Sequence, residues 1–418
     1  MISGADAELV ARDGALPGLA TLFDEEAFAA AAAARFPDVS HARCLYLRYK
    51  PQTACVARFR LSGDGGERDV YARATREGLS LHEFPEDRRI ASLGRLAHSE
   101  ARERLLARVL PELPQLWNAE LSELGYRPEM RFVGRLDGAD GAAAVVKAYA
   151  EGGFDLARRA SRAFRSGSRL RVAGRLGRSR KHRVIVQEWL PGDLVEESIL
   201  AGRPVGDAVA AAGEALAELH EQAGEDLPRL VRPTEAALLL QRAVEIGYLC
   251  PAIAQRSAAL AVSLATRLLG YGYSESPLHG DFSPDQVLFD GRRAGIVDFD
   301  DAVRGDAARD LGAFVARLER MRMAGFLTPA GAEELGGRLA EGYRARAGAR
   351  MPGEERIRHY VAIRLLTNAP GPFRLRLPAG PPRWRPSWPS RGSMEKVDKE
   401  SLRFYPLRRS KFQAHCRR

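Results

Sequence analysis

The residues best suited to chemistry lie in one run between positions 276 and 314, SPLHGDFSPDQVLFDGRRAGIVDFDDAVRGDAARDLGAF. Asp281 follows a His–Gly pair, and Gln286 lies five residues after Asp281. Two short apolar stretches separated by a Gly turn come next, and the second ends at Asp298. This order predicts a β-hairpin that brings oxygen atoms of Asp281, Gln286 and Asp298 around one point.

Such a set of oxygen atoms suits phosphoryl transfer. One carboxylate can orient the attacking hydroxyl, and a second can bind the metal that bridges the β- and γ-phosphates. A neutral amide oxygen completes a site for a hard cation such as Mg²⁺. The spacing mirrors the HRDxxxxN loop and the following DFG of kinases, with Gln286 in place of Asn. The alternative interpretation is a hairpin whose acids only cap turns.

An internal repeat supplies strands that could position further groups. Residues 47–58 recur at 124–135 without a gap, and after a shorter loop residues 70–73 correspond to 144–147. Each copy is typical of strand, YxP turn, strand, Gly/Asp turn and strand. The second copy has Lys147 where the first has Arg73. No catalytic loop accompanies the first copy, so we interpret it as a structural cap, with a second nucleotide site as the alternative.

The rest of the chain is mostly helical in pattern. Apolar periodicity predicts a strand over residues 183–189 and helices over residues 24–36, 87–110, 154–164, 207–222 and 234–249. A β-rich unit followed by a helix-rich unit indicates an α+β protein with two lobes.

Over residues 115–370 the sequence resembles the aminoglycoside phosphotransferase and choline kinase-like family, whose fold is protein-kinase-like. The resemblance is carried by AVVKAY around Lys147, the EWLPGD turn, LAELH ending at His220, HGDFSPDQ, IVDFDD and GDAARDLG. The Gln of HGDxxxxQVL and the extra N-terminal β unit are most similar to maltokinase-type sugar kinases. We interpret His220 itself as a core or helix-end histidine.

The resemblance implies roles for the catalytic loop. Asp281 would be the catalytic base, and Asp298 and Gln286 would be the Mg²⁺ ligands. Asp310 would brace the loop without reacting. His279 is interpreted as a residue that fixes the loop by hydrogen bonds.

The resemblance also implies a nucleotide site. Lys147 would hold the α- and β-phosphates of ATP, and the backbone of residues 187–190, with Glu188 and Leu190, would meet the adenine. No GxGxxG precedes Lys147, so backbone amides and Arg127 are the candidates for holding the phosphates.

The segment after Lys147 is poor in acids. The helix there offers only Asp155 as an acidic partner for Lys147, since Glu151 lies just before it. No other acidic residue occurs before Glu188. The Lys and Arg residues between Asp155 and Glu188 run from Arg158 to Arg183. This block is interpreted as a solvated surface, with an anion-attracting rim beside the nucleotide cleft as the alternative.

Composition indicates a globular protein, because 45% of the 418 residues are hydrophobic and 28% are charged. No apolar run approaches the ~20 residues that cross a bilayer. The sequence has no basic-then-apolar leader, and its four cysteines have no CxxC spacing. These features predict a cytoplasmic protein with reduced thiols, no Cys-based metal site and no membrane partner.

The net charge of +10 is confined to residues 371–418, which contain 13 Lys or Arg and three Asp or Glu. Residues 1–370 contain 51 of each sign, so no specific nucleic-acid partner is expected. The Pro- and Arg-rich composition of the tail predicts a disordered appendage. The alternatives are contact with RNA or a membrane through Trp384, Trp388 and the arginines, or a shifted reading frame at the gene's end.

We therefore predict a two-lobe, protein-kinase-like α+β fold. Residues 1–112 would form an N-terminal β-rich cap, 113–192 the N-lobe, 193–370 a helical C-lobe with the catalytic loop, and 371–418 the tail. The predicted function is ATP- or GTP-dependent transfer of a phosphoryl group to a hydroxyl of a sugar, an aminoglycoside-like compound or an amino alcohol. The alternative is a nucleotide-binding pseudokinase or regulatory scaffold.

Overall fold

The computed structural model describes residues 2–272 and 275–376. Its helices are α1 Gly4–Arg12, α2 Leu19–Phe23, α3 Glu25–Ala33, α4 Leu93–Ala97, α5 Ser99–Val109, α6 Glu151–Ala163, α7 Val195–Leu200, α8 Gly206–His220, α9 Arg232–Leu249, α10 Ala254–Leu269, α11 Ala308–Met323, α12 Pro329–Ala347, α13 Glu354–Asn368 and α14 Gly371–Arg374.

The strands are β1 Val39–Lys50, β2 Ala54–Gly63, β3 Gly66–Thr75, β4 Gly78–Glu83, β5 Glu120–Arg127, β6 Arg131–Asp137, β7 Ala143–Tyr149, β8 Leu170–Val172, β9 Arg175–Ser179, β10 Val184–Glu188, β11 Asp193–Leu194, β12 Ser276–Leu278, β13 Val287–Phe289, β14 Ala294–Ile296 and β15 Val303–Gly305.

The described residues form two compact units. The first contains residues 2–88, 125–129 and 370–376, and the second contains the remaining described residues. In the first unit the antiparallel sheet β1-β2-β3-β4 is covered by short helices, and Phe28 of α3 stacks on Phe59 of β2. The side chain of Asp24 caps α3 by accepting from the backbone N–H groups of the first turn.

The first residues of the predicted tail belong to this first unit. The ring of Phe373 packs edge-on against Phe23 and Tyr49, and Arg376 donates two hydrogen bonds to Asp6. The rest of the predicted tail lies outside the described residues.

The sequence repeat is also a repeat of strand register. In the first copy Val56 of β2 pairs with Arg73 of β3, and in the second Val133 of β6 pairs with Lys147 of β7. Because residues directly opposite in a ladder point to the same face, Arg73 and Lys147 hold equivalent places in their own sheets.

The second unit contains most of a five-stranded sheet in the order β5-β6-β7-β10-β9, together with helices α4 to α13. Helix α6 packs on this sheet through Phe154 and Ala157, which contact Ile185 of β10. Two small sheets, β11-β13-β14-β8 and β12-β15, lie among the helices and carry the HGD and DFDD segments at their ends.

Close helix contacts hold the helical part together. A Cβ at Gly342 of α12 would lie 1.9 Å from the carbonyl oxygen of Ala210 in α8, and one at Gly213 of α8 would lie 2.2 Å from that of Leu339. Only residues without a side chain allow this approach. The core around the crossing includes Leu216, Leu311, Phe314, Leu339 and Tyr343.

The α+β class, with a β-rich N-terminal region and a helical C-terminal region, is confirmed. The helix predicted over 87–110 is wrong in detail, because extended His98 divides it into α4 and α5. The guanidinium of Arg102 donates to the carbonyls of Leu96 and Ala97, which satisfies the end of α4 and stabilises the break. Within the described ranges, no helix is long and apolar enough to span a membrane.

Candidate functional site

The predicted hairpin is present. Val287 pairs with Ile296, and the backbone N–H of Val297 donates to the carbonyl of Gln286 at 3.0 Å. Gln286 therefore lies opposite the residue that precedes Asp298. The Gln286 side chain is buried, and its amide lies 3.4 Å from the carboxylate of Asp285.

A fully buried carboxylate, Asp310 at the start of α11, holds the loop that leads to the hairpin. It accepts from the backbone N–H groups of His279 at 2.7 Å and Gly280 at 3.0 Å, and from Nε2 of His220 at 3.1 Å. Burial alone would raise the pKa of Asp310, but these hydrogen bonds outweigh it and lower the pKa. The ionised carboxylate thus fixes the loop backbone.

His279 holds the loop from the other side. Its Nε2 donates to the carbonyl of Val297 at 2.9 Å, and its Nδ1 accepts from the backbone N–H of Asp281 at 3.3 Å. Both ring nitrogens of His279 are therefore used in holding the loop. At Gly280 the backbone has φ +85°, and a Cβ would lie 1.9 Å from the carbonyl oxygen of Asp301, so the loop needs glycine there.

Asp281 follows this braced segment and reaches solvent, with 35% of its side chain exposed. One of its carboxylate oxygens accepts from Nη2 of Arg364 in α13. A carboxylate that is oriented by a hydrogen bond from Arg364 and partly exposed to solvent can accept a hydrogen bond from a hydroxyl of a bound molecule.

Asp298 lies in a cluster of opposite charges. Arg131 at the start of β6 donates to both of its carboxylate oxygens at 2.8 Å, and Nζ of Lys147 donates to one of them at 2.9 Å. Asp300 binds the same two cations and accepts from the hydroxyl of Tyr149 at 3.0 Å. Asp298 itself has a left-handed backbone with φ 67°, a strained conformation typical of functional sites.

Both cations of this cluster stay charged. Burial would lower the pKa of Lys147 and of Arg131, but Asp298 and Asp300 raise both pKa values. On the acid side, partial burial and the carboxylates of Asp281 and Asp298 raise the pKa of Asp301. In this cluster the charged side chains of Lys147 and Arg131 bind the carboxylates of Asp298 and Asp300. Asp301 is a further acid beside them.

The acidic partners of Lys147, which the sequence left open, are Asp298 and Asp300. Asp155 of α6 lies on an exposed face and binds Arg158 at 3.4 Å, whereas Lys147 binds Asp298 and Asp300. The physical reason is that the DFDD segment offers two carboxylates at the sheet face that carries Lys147.

The residues predicted for nucleotide binding lie on strands or just after them. Arg127 is the last residue of β5, and Glu188 is the last residue of β10. Glu188 accepts from the backbone N–H of Gly174 at 2.9 Å. Leu190 is buried against Leu194 and Leu288. Their roles stay predictions.

The oxygen donors at the hairpin suit a hard cation. Asp298 offers a carboxylate, and the ladder places the amide-bearing Gln286 opposite its neighbour, a donor set that Mg²⁺ accepts together with phosphate oxygens and water. Both Asp298 oxygens already bind Arg131, so a metal would share or replace that contact. In the described part of the chain, no group of three or more His, Cys, Asp or Glu side chains is arranged to hold a metal.

Three residues of the site were not predicted: Arg131, Asp300 and Arg364. Asp300 has a signal in the sequence, because it is the second acid of DFDD. Arg131 and Arg364 are single arginines far from the motifs in the chain, and only the folded sheet and α13 bring them to Asp298 and Asp281.

Comparisons with known proteins agree with the predicted resemblance. A model of the phosphotransferase enzyme family, APH, matches residues 162–360, which include Asp281, Asp298 and Asp310 but not Lys147. No curated protein matches the chain.

Three solved structures illustrate the similarity. A thermostable variant of aminoglycoside phosphotransferase APH(4)-Ia, in complex with ADP and hygromycin B, is 16% identical with a TM-score of 0.46, over 65% of this chain and 90% of that one. Macrolide 2′-phosphotransferase from Brachybacterium faecium is 17% identical with a TM-score of 0.43, over 66% and 92%. A choline/ethanolamine kinase family protein from Mesorhizobium loti is 20% identical with a TM-score of 0.37, over 64% and 98%.

The family match confirms both the recognition and the enzyme class predicted from the motifs. Residues 162–360 match the model of the phosphotransferase enzyme family, and this match indicates a small-molecule kinase.

Proposed function

We propose that this protein transfers the γ-phosphoryl group of ATP or GTP to a hydroxyl of a small molecule such as a sugar, an aminoglycoside-like compound or an amino alcohol. One observation carries the proposal. Asp281, a partly exposed carboxylate on a loop held by Asp310, and Asp298, a second carboxylate, are connected by one short hairpin. Asp298 binds buried Lys147 and the largely buried Arg131.

The chain's own groups have separate tasks in this reaction. Asp281 aligns the acceptor hydroxyl and takes its proton as the new bond to phosphorus forms, a contribution of about 10²–10⁴ in rate. The hydrogen bonds from His279 and Gly280 to Asp310 keep the loop rigid, so this alignment is set before the acceptor binds. Asp298 and Gln286 would hold Mg²⁺, which neutralises charge on the β- and γ-phosphates.

The two cations of the cluster are suited to hold phosphates. Lys147 and Arg131 have 7% and 15% of their side chains exposed, and both remain charged. Bound nucleotide phosphates would attract them as Asp298 does in this structure. Arg131 then does the work that a glycine-rich loop does in other kinases, because its planar guanidinium matches a phosphate with two parallel hydrogen bonds.

A screen for phosphorylated product tests the proposal. Purified protein, Mg²⁺ and ATP or GTP are incubated with sugars, aminoglycosides and amino alcohols, and acceptors that gain one phosphoryl group are identified by mass. The matched variant is Asp281→Asn, which keeps the shape of the side chain and removes the charge. We expect its kcat to fall by about 10²–10⁴ with nearly unchanged nucleotide affinity.

The alternative, a nucleotide-binding pseudokinase, gives a different result. It would bind nucleotide through Lys147, and a Lys147→Met variant would lose that binding, but no acceptor would gain mass. Equal product formation by wild type and Asp281→Asn would reject Asp281 as the base.

A further inference from the structure

Arg364 of α13 is the least expected group at the site. It donates through Nη2 to a carboxylate oxygen of Asp281, and 14% of its side chain is exposed. Its Nε–H is buried and has no hydrogen-bond partner among the described residues. The guanidinium therefore has hydrogen-bond capacity beyond its contact with Asp281.

The position of Arg364 is fixed by the same helix that fixes the catalytic loop. A Cβ at Gly312 of α11 would lie 2.6 Å from the Cβ of Tyr360, so α11 and α13 touch directly. Asp310, which binds the loop, lies two residues before Gly312 in α11. Arg364 lies one turn after Tyr360 in α13. The distance from Arg364 to Asp281 is therefore set by packed helices.

The loop itself offers no permanent positive charge. Residues 279–286, HGDFSPDQ, contain two acids and neither Lys nor Arg. Lys147 and Arg131 lie at Asp298 and Asp300. The phosphoryl group in transit must pass between the nucleotide and the hydroxyl at Asp281, where its three equatorial oxygens carry negative charge.

We propose that Arg364 is a catalytic residue that donates hydrogen bonds to the phosphoryl group during transfer, as an arginine finger supplied by the chain's own helix α13. This inference rests on the proposed function. In the transfer, the bond from the γ-phosphorus to the bridging oxygen breaks and the bond to the acceptor oxygen forms. The hydroxyl proton goes to Asp281, the nucleoside diphosphate leaves, and Arg364 neutralises charge without exchanging a proton.

The test uses Arg364→Met, Arg364→Lys and a matched control, Arg358→Met. Arg358 lies on the same helix, 68% exposed, and binds Glu354. We expect Arg364→Met to lower kcat by about 10²–10³, the usual loss when one transition-state donor is removed, with nucleotide Kd and acceptor KM within about twofold. Arg364→Lys should recover part of the loss, and Arg358→Met should behave as wild type.

Two further readouts separate chemistry from structure. Wild type should trap ADP with aluminium fluoride and Mg²⁺, which together imitate the transferring phosphoryl group, and Arg364→Met should not. Guanidinium ion added at millimolar concentration should partly restore an Arg364→Ala variant. Urea unfolding of each variant shows whether it is folded.

Three outcomes in Arg364→Met would overturn the inference. The first is an unchanged kcat, and the second is normal trapping of ADP with aluminium fluoride. The third is a raised acceptor KM with normal kcat, which would make Arg364 an acceptor ligand. If wild type phosphorylates no acceptor, the proposed function fails instead, and the trapping experiment still decides whether Arg364 contacts the phosphoryl group.

Discussion

Two of the carboxylates that the motifs single out lie against arginines from distant parts of the chain. Asp281 binds Arg364, and Asp298 binds Arg131 together with Lys147. These contacts balance charges that would otherwise be costly to bury. Under the proposed function, the same guanidinium groups would also meet phosphate oxygens of the nucleotide.

Variants of Asp298 and Asp300 distinguish a role in charge balance from a role in catalysis. Replacing either by Asn leaves Lys147 and Arg131 with one carboxylate fewer, so each variant should lose about 1–3 kcal/mol in free energy of unfolding, measured with urea. Only Asp298→Asn should also lose phosphoryl transfer and the Mg²⁺ dependence of nucleotide binding, because Asp298 is the expected metal ligand. Loss of transfer in Asp300→Asn alone would reverse the two assignments.

The motifs predict the parts of the site that are close in sequence. The HGD loop and the hairpin that carries Gln286 and Asp298 follow from local spacing, because turns and short strands are encoded locally. The sequence does not reveal Arg131 or Arg364, since single arginines occur throughout this chain and nothing local marks those two.

At the scale of elements, contact between α11 and α13 links the HGD loop to Arg364. A Cβ at Gly312 would lie 2.6 Å from the Cβ of Tyr360 and 2.9 Å from backbone atoms of α13. Gly312→Ala should therefore push the helices apart, lower the free energy of unfolding by about 1–3 kcal/mol and reduce kcat.

The matched control for Gly312→Ala is Gly337→Ala in α12, where a Cβ meets nothing within 4 Å. That variant should be neutral or up to about 1 kcal/mol more stable, because alanine favours a helix more than glycine. Urea unfolding and steady-state kinetics measure both variants. Equal free energies of unfolding for the two variants would mean that α11 and α13 can accommodate a methyl group at Gly312.

The predictions for elements were accurate where one residue pattern persisted over several turns or strands. The repeat predicted the shared register that places Lys147 and Arg73 alike, because strand pairs are set by their own turns. The break between α4 and α5 was missed, since it depends on the side chain of Arg102 reaching back to carbonyls of α4. Helix contacts at Gly213, Gly312 and Gly342 were equally hidden, because glycine in a helix has no distinctive local signal.

At the scale of the whole molecule, the excess charge and the candidate site occupy different parts of the chain. The residues placed at the site lie between Arg131 and Arg364, whereas the +10 arises from residues 371–418. Arg376 binds Asp6, so a truncation that spares the described structure should begin after it. Residues 377–418 contain 11 Lys or Arg and three Asp or Glu.

Deletion of residues 377–418 should weaken binding to heparin and to duplex DNA without changing kcat or KM. Binding to polyanions is driven by release of counterions, so the slope of log affinity against log salt concentration should fall toward zero in the truncated protein. The control is a full-length variant whose 11 basic residues in this segment are replaced by Gln, and it should behave as the truncation does. If the truncated protein keeps a steep salt dependence, the polyanion-binding surface lies in the body, and the arginines between Arg158 and Arg183 become its natural location, because no acid interrupts that block.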